Sequence, residues 1–339
     1  MSDILYFFRY RKHRNSRFGY YAKNIIGYIM PAFIYRITLK RRLSLFDRLD
    51  DAQKEMVIKR VNYYNRLNPG TDLACETAPD GSECVDFGRI KLNAIINGRE
   101  SKSMYVLDSY YHTKYFSKKF RAGFLFGDIT HVPLTPSFVK SRPVKGDNTN
   151  SVLLPLVKVR HFTFVNDRRG FSSKKSMLVG RAFVDQPHRI KFWELYFNHP
   201  MCNLGNTNTK LASHPEWLVK PMSIDEHLEY KFILCLNGND VASNLKWVMS
   251  SNSLAVMSEP PYETWFMDGT LIPNYHYVSI KPDFSDLEER INYYIEHEDE
   301  ALSIIRNANA YVNQFRNRKI EKLIGLMVVN KYLENTGQL

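Results

Sequence analysis

A chain of 339 residues with 44% hydrophobic content is long enough to bury the cores of two ordinary domains, and too apolar to stay disordered. The formal charge of +12 sits largely at one end: residues 1–42 carry ten Lys and Arg against Asp3 alone, nine of the twelve net positive charges. Basicity confined to one segment points to an anionic surface and away from a nucleic-acid groove spread over the fold.

Within that segment Asn24 to Tyr35 is the longest apolar run, but twelve residues containing Pro31 are too few to span a bilayer, which needs about 20. A basic region before an apolar one has the outline of a signal peptide. Arg36 and Lys40-Arg41-Arg42 follow at once and no small-residue cleavage site is visible, so the expectation is a cytoplasmic protein whose first helix lies on anionic lipid. Leu45 to Leu67 reads as a helix ended by Asn68-Pro69-Gly70. Residues 70–100 read as loops around short strands. Ser103 to Asp108 reads as a strand, Tyr110 to Phe120 as a helix or a loop, and Arg121 to Asp128 as a strand whose carboxyl end carries a carboxylate. Pro133, Pro136 and Pro143 break His131 to Asn150 into a long irregular connection, of the kind that more often builds a site than a core. Val152 to Val165 is a helix or a strand, and the polar stretch Asn166 to Lys175 reads as an interdomain linker.

Met177-Leu178-Val179-Gly180 opens the second domain as a strand, and Pro187 to Phe197 supplies a helix. Tyr230 to Leu236 is an apolar run stopped by Asn237-Gly238-Asn239-Asp240, residues that tolerate left-handed backbone. Val241 to Ser251 follows with helical spacing, Ser253 to Ser258 is a second buried-strand run, Glu259 to Phe266 a short helix, and Tyr275 to Ile280 a third strand. Ser285-Asp286-Leu287-Glu288 has the form of a capping box opening a long helix, and Asp299 to Phe315 and Arg316 to Glu334 read as two more. Strands alternating with helices imply a parallel sheet whose ligand lies beyond the carboxyl ends of the strands, the edge that carries the Asn237 to Ser243 turn. Cys75, Cys84, Cys202 and Cys235 show no metal spacing. A Cys75–Cys84 bridge would need an oxidising compartment, so free thiols are expected.

The order Tyr230 to Leu236, Gly238-Asn239, Lys246, Ser253, Glu259 to Phe266, His276-Tyr277-Val278, Ile280-Lys281, Asp283 and Ser285-Asp286-Leu287-Glu288 resembles the carboxyl-terminal half of glycosyltransferase family 90. That family includes Rumi-type protein O-glucosyltransferases, fungal capsule xylosyltransferases and bacterial lipopolysaccharide enzymes. The resemblance implies an α/β fold in the GT-B arrangement, two Rossmann-like domains facing each other across a cleft. Residues 1–170 would form the acceptor side with the basic segment, 171–315 the nucleotide-sugar domain, and 316–339 a final helix returning to the first domain. The implied activity is inverting transfer of a sugar of glucose or xylose type from a UDP-sugar to a hydroxyl. With no export signal in view, the chain sits closer to the bacterial branch, with lipopolysaccharide core as acceptor at the cytoplasmic face of the inner membrane. A nucleotide- or glycan-binding module without turnover and a protein O-glycosyltransferase remain as other readings.

Asp128-Ile129-Thr130-His131-Val132-Pro133 is similar to the family's Asp-x-x-x-Val-Pro segment, whose aspartate deprotonates the acceptor; partial burial at a strand end is expected to raise its pKa toward the useful range. Gly180-Arg181 through His188-Arg189 lies where the family has a Gly-Ser motif followed by an arginine that holds the diphosphate. Arg189 matches that arginine and Arg181 replaces the serine. The residues themselves also argue phosphate binding by Arg189, by Lys246 and by the helix opening at Gly238, Asn239 and Ser243, where N–H groups and the dipole favour an anion. Asn244 stands where family members commonly carry an arginine, which leaves Lys246 or Arg181 to supply that charge. Glu259 is placed to accept hydrogen bonds from ribose hydroxyls, with Glu263 as its rival and Trp265 as core. The chain holds no Asp-x-Asp pair, so no metal and no cofactor is expected, and protein cations are to stabilise the leaving group.

Overall fold

The computed structural model describes residues 12–73, 78–90, 100–209 and 214–339. In chain order its elements are α1 (Arg17–Ile29), α2 (Ala32–Ile37), α3 (Leu39–Leu43), α4 (Asp51–Tyr64), β1 (Glu83–Asp86), α5 (Glu100–Thr113), β2 (Arg121–Phe124), β3 (Ser137–Val139), β4 (Ser141–Pro143) and β5 (Ser151–Leu153). There follow α6 (Lys158–His161), β6 (Lys175–Ala182), α7 (Pro187–Tyr196), β7 (Cys202–Asn206), α8 (Ile224–His227), β8 (Tyr230–Leu234), α9 (Leu245–Val248), β9 (Leu254–Met257), β10 (Tyr262–Thr264), β11 (Val278–Ser279), α10 (Leu287–Glu296), α11 (Glu298–Asn313) and α12 (Arg318–Asn335). The chain divides into two compact units, and each is discontinuous in sequence.

One unit gathers Arg160–Pro260 and Thr270–Gln314 with the described part of Met1–Asn15. Its five-stranded sheet has the order β11-β9-β8-β6-β7, and every pairing in it is parallel. All of β8 and β9 is buried, which is why both read as unbroken apolar runs rather than as alternation. Numbered from its own first strand the order is 2-1-3-4-5, a doubly wound sheet whose direction of growth reverses between β6 and β8. Phe192 and Trp193 of α7, Leu287 and Ile291 of α10 and Ile304 and Ile305 of α11 pack with Phe232, Val256 and Val278 of the strands.

Three expectations fail in this unit. The polar stretch 166–175 is not a linker: Lys174 Nζ donates to Asp167 at 2.6 Å, Leu228 O at 2.7 Å and Ser253 Oγ at 2.7 Å, and Phe171 enters the core. Polar residues that satisfy one another are invisible to a composition argument. The helix expected from Val241 is a single turn, because Asn244 donates to Leu234 O at 2.8 Å and holds the preceding segment against the end of β8. The capping box is not formed either. Ser285 donates to Asp283 and Asp286 accepts from Lys281 N–H, so α10 starts at Leu287 without a side-chain cap.

The other unit gathers Ser16–Val159, Pro261–Gly269 and Phe315–Leu339. Its four-stranded sheet runs β1-β2-β3-β5, with β2, β3 and β5 parallel and β1 antiparallel at the edge. Helix α12 is part of its core: Tyr332 OH donates to Pro136 O at 2.7 Å and accepts from Gly123 N–H at 3.1 Å, while Asn65 Nδ2 donates to Val328 O at 3.2 Å. Gly123 is required at that approach, since a Cβ there would stand 2.3 Å from Pro136 O.

Ser103 to Asp108 is helix, not strand. Tyr105, Val106, Leu107 and Asp108 are all buried, and a helix buried on every side shows no 3.6-residue stripe. Glu259 to Phe266 is not helix: β10 pairs antiparallel with β4, Tyr262 opposite Pro143 and Thr264 opposite Ser141. The connection 131–150 contains β3 and β4. Cys75 of the expected cysteine pair lies outside the described residues. No helix among the described residues is long and apolar enough to cross a membrane.

Candidate functional site

The carboxyl ends of β6 and β8 meet at the point where the parallel sheet reverses its order, the position at which open α/β sheets hold ligands. The first turn of α7 leans there onto the loop that follows β8. Arg189 Nη1 donates to Phe183 O at 2.8 Å and Nη2 to Leu236 O at 3.0 Å. His188 Nε2 donates to Asn237 O at 2.9 Å, and Gln186 Nε2 to Asn239 Oδ1 at 3.1 Å. A Cβ on Gly238 would be 3.6 Å from Arg189 Nη2, so the backbone passes directly beside the guanidinium. Arg189, Gly238 and Asn239 are thus brought together. Ser243 is half-buried in the turn that leads to α9, and exposed Glu259 lies just beyond β9, the neighbour of β8 in the sheet.

The electrostatics of this edge favour an incoming anion. Burial pushes Arg189 down to about 10, with Asp185 pulling it back up and Arg160 pushing it further down. An arginine in that condition gains from any anion that restores its countercharge. Burial first, and then the Glu259 carboxylate, push the phenol of Tyr277 up to about 12.

Of the expected donor residues, Arg181 is directed elsewhere and Lys246 is interior. Arg181 folds back onto the sheet: its guanidinium donates to Gly180 O at 2.9 Å and to Asn203 O and Oδ1 at 2.8 Å, and Asn203 in turn donates to Tyr230 OH at 2.6 Å. Tyr230 opens β8, so Arg181 is directed toward the opposite end of that strand from Arg189. Lys246 is fully buried on α9, where its charge acts on the Cys235 thiol against the upward push of burial. Glu263 and Trp265 belong to the other unit. Glu263 is buried against Arg142, and Trp265 Nε1 donates to Glu321 at 2.7 Å while its ring stacks on Tyr64.

Asp128 follows β2 in that second unit. Gly127 before it has φ of +149°, a backbone that residues with a Cβ rarely adopt, and Ser141 Oγ donates to Ile129 O at 3.1 Å after it. The loop that presents the carboxylate is therefore held on both sides. Asp128 pairs with the ammonium of Lys140, whose side chain is 4% exposed against 37% for Asp128. The expected partial burial is thus not what distinguishes this carboxylate. Its immediate influence is a buried cation.

A model of glycosyl transferase family 90 matches residues 195–329, a span that begins in α7 and ends in α12. Across nearly the whole chain there is a closer likeness: 39% identity over 314 residues to O-glucosyltransferase LpsA of Dichelobacter nodosus, covering 92% of this chain and 94% of that protein. The chain belongs to glycosyl transferase family 90. A shorter match, 29% identical over 111 residues, is to protein O-glucosyltransferase 2 of Danio rerio and covers 32% of this chain and 22% of that protein. As a member of family 90 the chain is a glycosyltransferase.

Two further residues of this family-90 chain at the same edge, Gln186 and Arg160, do not follow from the spacing of its sequence. Gln186 stands directly before Pro187 at the first position of α7, a signal for the helix start but not for the bond to Asn239. Arg160 lies in α6, and nothing in the spacing of the two residues marks it as a neighbour of Arg189.

Proposed function

We propose that the chain moves a sugar from a UDP-sugar to a hydroxyl of lipopolysaccharide core, with inversion at the anomeric carbon. The observation that carries the donor half is the cluster of Arg189, Gly238 and Asn239 at the reversal point of the parallel sheet. Diphosphate oxygens there would meet the Arg189 guanidinium, the N–H groups of the turn and Arg160, so the countercharge comes from the protein and neither metal nor cofactor takes part. A GT-B arrangement of the two units is part of this reading. The acceptor oxygen attacks the anomeric carbon, Asp128 takes its proton, and the bond to the diphosphate breaks with its electron pair leaving on UDP. Glucose is the first sugar to test, since the relative matched over nearly the whole chain is an O-glucosyltransferase.

Release of UDP from a panel of UDP-sugars, with deacylated core oligosaccharide as acceptor, tests this reading. One pairing should turn over at a rate unaffected by EDTA. Binding without release in every pairing points instead to a module without turnover, and modification of folded peptide domains to a protein O-glycosyltransferase. Arg189→Ala should raise KM for the donor by about 10- to 100-fold, the loss of one charge-assisted contact to phosphate.

The chain is also proposed to lie on the anionic inner membrane from the cytoplasmic side. Phe18, Ile26, Ile29, Phe33, Ile34 and Ile37 of α1 and α2 are exposed, Phe18 by 85% and Ile37 by 75%. Arg17, Lys23, Arg36, Lys40 and Arg41 share that segment, and no Asp or Glu stands between Asp3 and Asp47. Apolar side chains flanked only by cations suit the boundary between anionic headgroups and acyl chains, where each basic residue contributes about 1 kcal/mol. Sedimentation with phosphatidylglycerol vesicles should capture the protein at 0.15 M salt and phosphatidylcholine vesicles should not. Ile29→Glu with Phe33→Glu should weaken capture by roughly tenfold or more; an unchanged partition removes α1 and α2 from the contact.

A further inference from the structure

Four cations from well-separated parts of the chain converge on the rings of Tyr111 and Tyr115 in the unit built around α12. Lys322 Nζ lies 4.3 Å from the Tyr111 centroid and 4.4 Å from that of Tyr115, whose hydroxyl accepts its hydrogen bond. Lys158 Nζ is 4.2 Å from the Tyr111 centroid, and Arg42 Cζ is 5.0 Å from that of Tyr115. Lys114 Nζ lies 3.8 Å from the ring of Tyr35 and 5.7 and 5.9 Å from those of Tyr111 and Tyr115. Lys322, Lys158 and Arg42 come from α12, α6 and α3, and Lys114 directly follows α5.

The carboxylates nearby do not balance them. Asp108 accepts the backbone N–H of Lys158 at 2.9 Å, and Glu321 is engaged by Arg60 and Trp265. Among the described residues, no carboxylate lies in ion-pair contact with Lys114, Lys158 or Lys322. Burial first and neighbouring cations second pull Lys322 down to about 7 and Lys114 to about 8. Ring faces attract cations singly, but they do not offset the mutual repulsion of several. The group is half open to solvent: Lys114 and Tyr115 are buried, while Arg42, Tyr111, Lys158 and Lys322 are partly exposed.

We infer that Arg42, Lys114, Lys158 and Lys322, with the hydroxyls of Tyr111 and Tyr115, form a site for a phosphoryl group of the monoester type. Ammonium groups and a guanidinium gathered about two adjoining phenol rings, with the hydroxyls as further donors, suit a dianionic tetrahedral oxyanion. The site is separate from the donor residues, since it is built within the unit that lacks Arg189, and it shares no residue with the Asp128–Lys140 pair. It lies under the exposed α1–α2 segment: a Cβ on Gly27 would be 3.0 Å from Lys114 Nζ. A phosphorylated sugar of the acceptor and a lipid headgroup both present this chemistry.

Calorimetric titration of the full chain with sodium phosphate at constant ionic strength tests the site. Wild type and Arg189→Ala should bind phosphate alike, and Lys322→Met should bind at least about tenfold more weakly. In phosphate-free buffer Lys322→Met should melt no lower than wild type, because it removes one of four crowded charges, and saturating phosphate should raise Tm for wild type only. Loss of phosphate binding in Arg189→Ala, equal binding by Lys322→Met, or no binding by wild type would overturn the inference. Vesicles with phosphatidic acid, set against vesicles of equal phosphatidylglycerol charge, identify the source. A preference for phosphatidic acid that Lys322→Met abolishes assigns the site to a lipid headgroup; phosphate binding without that preference assigns it to a phosphorylated acceptor. UDP binding, measured separately, decides the donor reading.

Discussion

Asp128→Asn should lower kcat for sugar transfer by roughly 10³-fold, within the 10²–10⁴ range that a general base contributes, while leaving donor KM nearly unchanged. The substitution keeps shape and removes the proton acceptor. Folding should survive it: the carboxylate is 37% exposed, and its loop is held by the backbone of Gly127 and the bond from Ser141 to Ile129 rather than by the carboxylate. Circular dichroism and single-turnover kinetics on the same preparation separate the two effects. A variant that folds, binds UDP and transfers at the wild-type rate would remove Asp128 from the reaction. Lys140 gives a second handle. It is buried and paired with Asp128, so Lys140→Gln should alter how the carboxylate is held and reduce kcat less than removal of the carboxylate does.

The parts of the fold legible in the sequence are those where one local rule decided the outcome. Tyr230 to Leu234 and Leu254 to Met257 are strands because continuous apolar runs of that length, closed by Asn-Gly or Pro-Pro, have few other solutions. Ser103 to Asp108 satisfied the same rule and is helix, since burial on all sides erases the difference between the two periods. The segment around Tyr262 departs from its local pattern for another reason. Its strand partner, Ser141–Pro143, is more than a hundred residues away, and such pairing leaves no mark on the local pattern. The site followed the same division. A turn after a strand and an arginine at a helix start are local features, and Arg189, Gly238 and Asn239 do gather at one strand edge. Whether a cation faces outward is a tertiary property. Lys246 is interior and Arg181 is turned back on Asn203, which no spacing in the chain records.

Glu263→Ala should destabilise the protein by about 3–5 kcal/mol, the cost of leaving one charge of a buried pair without its partner. Arg142 and Glu263 are 0% and 1% exposed, and Arg142 Nε donates to Glu263 Oε1 at 2.8 Å. The rest of the guanidinium donates to Ser151 O at 3.0 Å and Tyr63 O at 2.7 Å, and the Tyr63 hydroxyl donates to Glu263. This network ties β4 and β10 to the end of α4, so the short segment 261–269 is fixed to its unit by charge as well as by strand pairing. For a chain of this size that loss lowers Tm by roughly 10 °C. Arg142→Met combined with Glu263→Met should recover much of it, because replacing both partners removes the buried charge instead of orphaning it. The same pair of variants decides what Glu263 does. A glutamate that accepted hydrogen bonds from a ribose would raise donor KM when lost and leave Tm in place; a glutamate that closes a buried network does the reverse. If the double variant melts as low as Glu263→Ala, the ion pair is not the source of the stability, and the loss lies in the bond from Tyr63.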